Sequence, residues 1–226
     1  DFFEEVGKFR AARQLWHDLV TERFQPNNPK SSMLRFHTQT AGVTLTAQQP
    51  LNNAVRVSYQ ALSAVLGGTQ SLHTNSYDEA IGLPTEESAL LALRTQQILA
   101  EETKVPNSVD PLAGSYLVEE LTSKLYQNSR NLIEEIDNMG GAMQCVIAGY
   151  QQRHIHEAAW NQLQSIEDGT TKVIGVNTFT EDQTTDIVGQ IQNSAIAQLQ
   201  QEQIEQIIED RDSTKADQCI RSIEEA

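Results

Sequence analysis

Two short segments of the chain carry polar side chains at the spacing of a β-strand. These side chains are candidates for binding a ligand. Each has three hydrogen-bonding side chains at alternate positions: Arg35, His37 and Gln39 in the first, and Ser71, His73 and Asn75 in the second. Successive side chains of a strand point to opposite faces, so each trio shares one face. Parallel strands are usually apolar on both faces. The polar trios therefore predict a lined cavity that receives a polar ligand.

The segments around these trios indicate how they are positioned. The two strands are predicted at about residues 33–39 and 70–75, and a helix at 53–66 with one apolar side separates them. Strands separated by one helix are typical of parallel β/α units. A third strand is predicted at about 104–109. The chain is therefore predicted to be an α/β protein.

The rest of the chain is predicted to be mainly helical. The spacing of apolar residues predicts helices at 2–23, from an N-cap at Thr85 to about 101, from Ser115 to the Gly140-Gly141 pair, and two within 142–166. Residues 181–226 are rich in Gln and Glu, although apolar residues still recur at helical spacing. We therefore predict a first domain over 1–180 and a linker or peripheral helices over 181–226.

Charge and composition argue against several classes of partner. The formal net charge of −15 disfavours nucleic acid and anionic membrane surfaces, since both attract basic patches. No apolar run approaches the roughly 20 residues that span a membrane. The two cysteines, Cys145 and Cys219, are too few for a disulfide framework. We therefore expect a soluble protein in a reducing, cytoplasmic compartment.

Cys145, His154 and His156 are close enough in sequence to suggest a metal site. However, two residues at i and i+2 of a helix do not share a face. Cys145 lies among apolar residues at helical spacing, which favours a place in the core over a nucleophile. We therefore predict no metal-ligating residues in this chain.

Longer motifs carry a family resemblance. The stretch RFHTQTAGVTLTAQQPLNN is followed by GGTQSLHTNSYDEAIGLPT and later by DPLAGSY and VIGVN. In this order, over nearly the whole chain, these motifs closely resemble the large catalytic subunit of methylmalonyl-CoA mutase and related acyl-CoA mutases. The resemblance implies a (β/α)8 TIM barrel that encloses the CoA arm of its substrate. This chain would be a partial barrel, about its last three β/α units, followed by additional C-terminal helices.

The resemblance also implies a reaction, a cofactor and partners. The family uses adenosylcobalamin for a radical 1,2-rearrangement of acyl-CoA carbon skeletons, of the type that converts methylmalonyl-CoA to succinyl-CoA. The D-x-H-x-x-G motif whose histidine ligates cobalt in the family does not occur in this sequence. The cobalt ligand and the N-terminal part of the barrel would therefore come from a domain or subunit outside it. Alone, we expect the chain to be inactive and to form a homo-oligomer through open strand edges.

Individual residues take their implied roles from matching motif positions. Those that resemble acyl-CoA substrate contacts are Arg35, His37 and Gln70. Those that resemble cobalamin contacts are Gln39 and Gly42 at the corrin face, and Glu79, Ala80 and Gly82 beneath the cobalamin and its adenosyl ribose. Gln70 has the opposite parity to Ser71 and His73, so it requires either a bulge or a position at the strand entrance.

A second class of function remains open from the sequence, in which the chain is a non-catalytic barrel fragment that serves as a subunit-interaction module. Four retained residues favour the mutase, because buried polar groups are costly unless a partner satisfies them. They are Arg35, His37, Gln39 and Glu79. The sequence leaves the acyl group open among methylmalonyl, isobutyryl, 2-hydroxyisobutyryl and ethylmalonyl.

Overall fold

The computed structural model describes residues 1–181 and 194–224, which are mainly helical. The α-helices of this described part are α1 Phe2–Phe24, α2 Asn52–Leu66, α3 Glu86–Gln97, α4 Tyr116–Asn138, α5 Ala142–Ile147, α6 Tyr150–Glu167, α7 Ser194–Asp210 and α8 Ser213–Glu224. The strands are β1 His37–Gln39 and β2 Ser71–His73. Contacts divide the chain into unit 1, Asp1–Gly189, and unit 2, Gln190–Ala226. Within the predicted linker, residues 182–193 lie outside the described part.

The two predicted strands are present and pair in parallel, which confirms the α/β class. His37 lies opposite Ser71, and Gln39 lies opposite His73. Each strand has only three residues, fewer than predicted. Just before β1, the backbone N–H of Phe36 donates to the side-chain Oε1 of Gln70 at 2.8 Å instead of to a backbone carbonyl of the paired strand. The ladder is therefore replaced there by a side-chain contact.

The predicted third strand at 104–109 is wrong. Lys104 has a left-handed backbone conformation with φ of 58°, and Val105–Asn107 form a 3-10 turn. Pro106 within that turn has a fixed φ and no N–H for a strand ladder. Three β/α units were predicted, and the described residues contain the strands of two of them. These two strands are consistent with the fold of the family, but they do not form a barrel.

The helix predictions of unit 1 are confirmed. The side chain of Thr85 caps α3 by accepting a hydrogen bond from the backbone N–H of Ser88 at 3.2 Å. The α-helical part of α3 ends at Gln97, and a π-helical segment, Ile98–Glu102, continues it to the predicted end. The region 142–166 contains two helices, α5 and α6, as predicted.

The core of unit 1 lies where α1 meets α2 and α4. Its buried apolar side chains include Val6, Phe9, Val57, Ala61 and Val118. Gly7 allows α1 and α4 to approach closely, since a Cβ at that position would lie 3.3 Å from the backbone N of Thr122. The ring of Phe9 stacks on that of Phe36 with centroids 5.2 Å apart, so α1 also supports the residue that leads into β1.

The VIGVN segment, together with Phe179 just after it, contacts the start of α2 and the residues before it. The guanidinium Nη2 of Arg56 donates to the carbonyl of Ile174 at 2.7 Å, and the amide of Gln49 donates to the carbonyl of Phe179 at 2.9 Å. A segment distant in sequence therefore supports the helix that connects β1 to β2.

Unit 2 consists, in its described part, of α7 and α8. Both helices carry exposed apolar side chains, including Leu199, Ile207 and Ile223. Across the described residues of both units, no helix is long and apolar enough to cross a membrane.

Candidate functional site

Polar side chains share one face of the two-stranded sheet, as the alternation predicted. His37 and Gln39 are exposed, whereas Thr38 between them is half-buried, and β2 repeats this pattern. The ring Nδ1 of His37 lies 2.7 Å from the hydroxyl of Ser71 on the paired strand. The described residues leave this face open to solvent, so it presents a polar surface and not a closed cavity.

Three residues at or after the carboxyl ends of the two strands come together around Asn75. The side-chain amide of Gln39 donates to Asn75 Oδ1 at 3.0 Å. A Cβ on Gly42 would lie 2.6 Å from Asn75 Nδ2 and 3.4 Å from Glu79 Oε1. Three predicted cofactor contacts, Gln39, Gly42 and Glu79, therefore meet at one place. The carboxyl ends of parallel strands are where ligands bind in β/α proteins.

The Asn75 side chain at the centre of this cluster is only partly satisfied. It is 3% exposed, and its backbone N–H donates to the hydroxyl of Thr40 at 2.9 Å. Its Oδ1 accepts from Gln39, but its Nδ2 donates to nothing within the described residues. Buried polar atoms are normally paired, so this amide is a donor suited to an added ligand.

Ala80 and Gly82 lie on an exposed loop that Asp78 closes. The backbone carbonyl of Asp78 accepts from the N–H groups of Ile81 at 2.8 Å and Gly82 at 3.1 Å. Its carboxylate accepts from the backbone N–H of Thr85 at 3.2 Å, and the residue is fully buried. The sequence reasoning missed this role of Asp78. The acidic residue between Tyr and Glu in SYDEA was its only signal.

Gln70 lies at the entrance of β2, immediately before Ser71, which settles its position without a bulge. Its Oε1 accepts from Phe36 as described above, and its Nε2 donates to the carbonyl of Gly68 at 3.0 Å. The Gln70 amide thus joins the two strand entrances. Arg35, two residues before β1, is exposed and forms no hydrogen bond or ion pair with any residue of the described part.

Asn53, in the first turn of α2, joins the loops that follow the two strands. It is fully buried, and its Nδ2 donates to the carbonyls of Thr46 and Tyr77, both at 2.8 Å. Its Oδ1 accepts from the backbone N–H of Thr46 at 3.1 Å and from Arg56 Nη1 at 2.6 Å. Burial raises the pKa of the nearby Tyr77 hydroxyl. Sequence reasoning missed Asn53, since a polar residue at a helix start more often signals a cap.

The other chemically suggestive residues do not join this cluster. Cys145 is 1% exposed, which confirms its predicted place in the core. The ring of His154 packs on Tyr150 with centroids 4.4 Å apart. Within the described ranges, no group of three His, Cys, Asp or Glu residues is arranged to hold a metal ion. The site therefore offers hydrogen-bond donors and acceptors around the close approach of Gly42 to Asn75.

These features define an α/β protein with a cluster of polar side chains at the carboxyl ends of two parallel strands. The family model described as methylmalonyl-CoA mutase matches residues 1–226. The chain therefore belongs to the methylmalonyl-CoA mutase family, as its motifs predicted.

Individual relatives are longer proteins. The chain is 47% identical over 225 residues to the methylmalonyl-CoA mutase of Rhizobium meliloti, covering 99% of this chain and 31% of that protein. It is 42% identical over 226 residues to the mitochondrial methylmalonyl-CoA mutase of Homo sapiens, covering 100% of this chain and 30% of that protein. It is also 50% identical over 183 residues to the 2-hydroxyisobutanoyl-CoA mutase large subunit of Aquincola tertiaricarbonis, covering 81% of this chain and 33% of that subunit. The chain thus spans about a third of the length of these relatives.

Proposed function

We propose that this chain forms part of the substrate-binding barrel of an adenosylcobalamin-dependent acyl-CoA mutase, an isomerase that rearranges acyl-CoA carbon skeletons. The observation that carries the proposal is the meeting of Gln39, Gly42 and Glu79 around the unsatisfied amide of Asn75. Membership of the mutase family and the names of the relatives supply the reaction class.

The residues of the cluster fit a large polyfunctional cofactor. Because Gly42 has no Cβ, Asn75 Nδ2 lies close to its backbone, and this nitrogen has no hydrogen-bond partner among the described residues. Glu79 offers a carboxylate oxygen beside Gly42, and Ala80 and Gly82 lie on an exposed stretch without bulky side chains. When bound, adenosylcobalamin supplies the radical chemistry of the rearrangement. Gln39, Asn75 and Glu79 would hold and orient it.

Arg35, His37 and Gln70 are the proposed contacts to the acyl-CoA. Arg35 is exposed just before β1, and His37 is exposed on β1 itself. A ligand that lies parallel to the strands would contact both. The guanidinium offers a charged donor and the imidazole a neutral one, and both suit carbonyl or carboxylate oxygens. Gln70 supports this surface from the strand entrance, because its amide fixes the backbone that carries His37.

Further segments are proposed to complete the barrel. Within the described part, β1 and β2 pair only with each other, so each has an outer edge that no described strand covers. Unpaired strand edges favour association with other strands. We expect the remaining β/α units and a cobalt-ligating domain to complete the site, with self-association of the chain when they are absent. The chain alone is then expected to have no mutase activity.

A graft into a relative tests the proposal. The 226 residues replace the matching segment of the Rhizobium meliloti enzyme, and isomerisation of acyl-CoA is measured with and without adenosylcobalamin. We expect cofactor-dependent turnover. In Gly42→Ala the added Cβ would lie 2.6 Å from Asn75 Nδ2, and displacement of that side chain should raise the KM for adenosylcobalamin about tenfold.

Val43→Ala is the matched control for this graft, because Val43 follows Gly42 in sequence and is 95% exposed. It should retain the parent's KM for the cofactor. A folded graft without turnover would contradict the mutase proposal and favour the subunit-interaction module. An unchanged cofactor KM in Gly42→Ala would contradict the place assigned to the cofactor.

A further inference from the structure

Ser71 is paired with His37 by the register of the sheet. The two residues lie directly opposite each other in the parallel ladder, so their side chains share a face. The Ser71 hydroxyl lies 2.7 Å from His37 Nδ1 and forms no other hydrogen bond within the described residues. His37 Nε2 has no partner there either, so one ring nitrogen is held and the other faces the open surface.

A neutral imidazole has one donor nitrogen and one acceptor nitrogen, and a hydrogen bond to the first determines the role of the second. A serine hydroxyl can donate to Nδ1, which leaves the proton on Nε2. The exposed nitrogen is then a donor and suits a carbonyl oxygen, such as the thioester or amide oxygens of an acyl-CoA. In the opposite tautomer, the exposed nitrogen would be an acceptor and would repel such an oxygen.

We infer that Ser71 is a positioning residue for His37, whose hydroxyl orients the ring and keeps the proton on Nε2 for an acyl-CoA carbonyl. This inference rests on the proposed function, since it assigns a ligand to the exposed nitrogen.

The sheet itself keeps Ser71 in place for this role. On the buried side, the hydroxyls of Thr38 and Thr69 lie 2.7 Å apart, and the Thr69 hydroxyl donates to the backbone carbonyl of Ser71 at 2.9 Å. The ladder therefore fixes the Ser71 backbone independently of its side chain. Removing the Ser71 hydroxyl should consequently free the His37 ring without displacing β2.

Two measurements on Ser71→Ala test the inference. The first records the ring nitrogen chemical shifts of His37 in the full chain by NMR, assigned by their loss in His37→Gln. The second measures KM and kcat for acyl-CoA in the grafted enzyme. We expect the parent to carry its proton on Nε2, and Ser71→Ala to show a mixture of tautomers. Its KM should rise about three- to tenfold, the range for losing one neutral hydrogen bond, with kcat little changed.

Ser71→Thr retains the hydroxyl and should restore both the tautomer and the KM. Ser58→Ala, on the exposed side of α2, is the matched control and should behave as the parent. An unchanged tautomer and KM in Ser71→Ala, or no rescue by threonine, would overturn the inference. A tautomer change without any change in KM would overturn its link to the ligand while leaving the proposed function standing. If the grafted parent turns over no acyl-CoA, the proposed function itself fails.

Discussion

The α1–α4 interface and the loops around Asn53 are held together by different chemistry. Ion pairs form at several positions along the α1–α4 interface. They join Arg10 to Asp110 and Glu119, Arg130 to Glu22, and Arg23 to Asp137. Around the candidate site, one buried amide, that of Asn53, joins two loops through three hydrogen bonds and accepts a fourth from Arg56 of its own helix. The first region distributes its contacts over many residues, whereas the second concentrates them on one.

This difference determines how each region should respond to change. Exposed ion pairs are individually weak and depend on salt and pH, and the loss of one leaves the others in place. A buried amide that satisfies several backbone groups has no substitute, because its removal leaves those groups unpaired in a dry environment. Stability at the site should therefore depend on a single side chain, and stability at the helix interface on several.

Asn53→Ala is expected to have the largest effect. The substitution leaves the backbone N–H and carbonyl of Thr46 and the carbonyl of Tyr77 without their partner. We expect a loss of about 3 kcal/mol in the free energy of unfolding, measured in the full chain by urea denaturation. The loops that carry Gly42 and Glu79 should separate as a result.

The neighbouring Asn52→Ala is the matched control for this experiment. Asn52 is half-buried, and its side chain donates to the side chain of Gln49 at 2.9 Å, so the loss of that side chain should cost less than about 1 kcal/mol. If the two variants were equally stable, the loops would not depend on Asn53, and the contrast between the two regions would disappear.

The sequence predicted the elements that depend on local patterns. Apolar spacing located α1, α2 and α4, and Thr85 was correctly assigned as a cap because capping depends on neighbours in the chain. Family motifs marked Gln39, Gly42 and Glu79, which the structure places together. The third strand was wrong because its apolar residues flank Pro106, which favours a turn over a ladder.

The roles of Asn53 and Asp78 could not be predicted, because their partners are distant or are backbone groups. Asn53 bonds to Tyr77 across 24 positions, and no local spacing marks that contact. Asp78 is followed by a loop whose backbone N–H groups turn inward, and only the folded chain shows that they meet its oxygens. Site residues that act through tertiary contacts therefore need the structure.

Among the charged side chains of the helix interface, Arg10 is expected to have the largest effect when replaced by alanine. The guanidinium donates to both carboxylate oxygens of Glu119, at 3.1 and 2.8 Å, and to the hydroxyl of Thr122 at 2.9 Å. Its side chain is only 13% exposed. We expect a loss of about 2 kcal/mol, the middle of the range for hydrogen bonds to charged groups. Urea denaturation of the full chain measures it.

Lys8→Ala supplies the comparison for this variant. Lys8 lies on the same helix, and its ammonium pairs with Glu5 on an exposed surface and lies 4.9 Å from the ring centroid of Phe9. Both contacts are exposed, so its removal should change stability by less than about 1 kcal/mol. Equal losses in Arg10→Ala and Lys8→Ala would show that the α1–α4 contact does not depend on the Arg10 network.

Glu119→Gln should have the smallest effect, and one that depends on pH. The hydrogen bond from Arg10 lowers the pKa of the Glu119 carboxyl below its ordinary value of 4.5, and the backbone N–H of Gly114 adds to this shift. A carboxyl with a lowered pKa stabilises the folded state above its ordinary pKa and loses that contribution as pH falls through the folded value. Near neutral pH the parent should therefore be more stable than Glu119→Gln. This difference in stability should be smaller than the difference between the parent and Arg10→Ala. The difference should shrink as pH falls below about 4.5, because protonation then gives the parent an uncharged side chain like that of glutamine.

Urea denaturation of the parent and Glu119→Gln, from neutral pH down to about pH 3, measures this trend. Glu120→Gln, whose partner Lys124 is highly exposed, should show a weaker dependence. A stability difference between the parent and Glu119→Gln that stays constant with pH would contradict the pairing of Arg10 with an ionised Glu119.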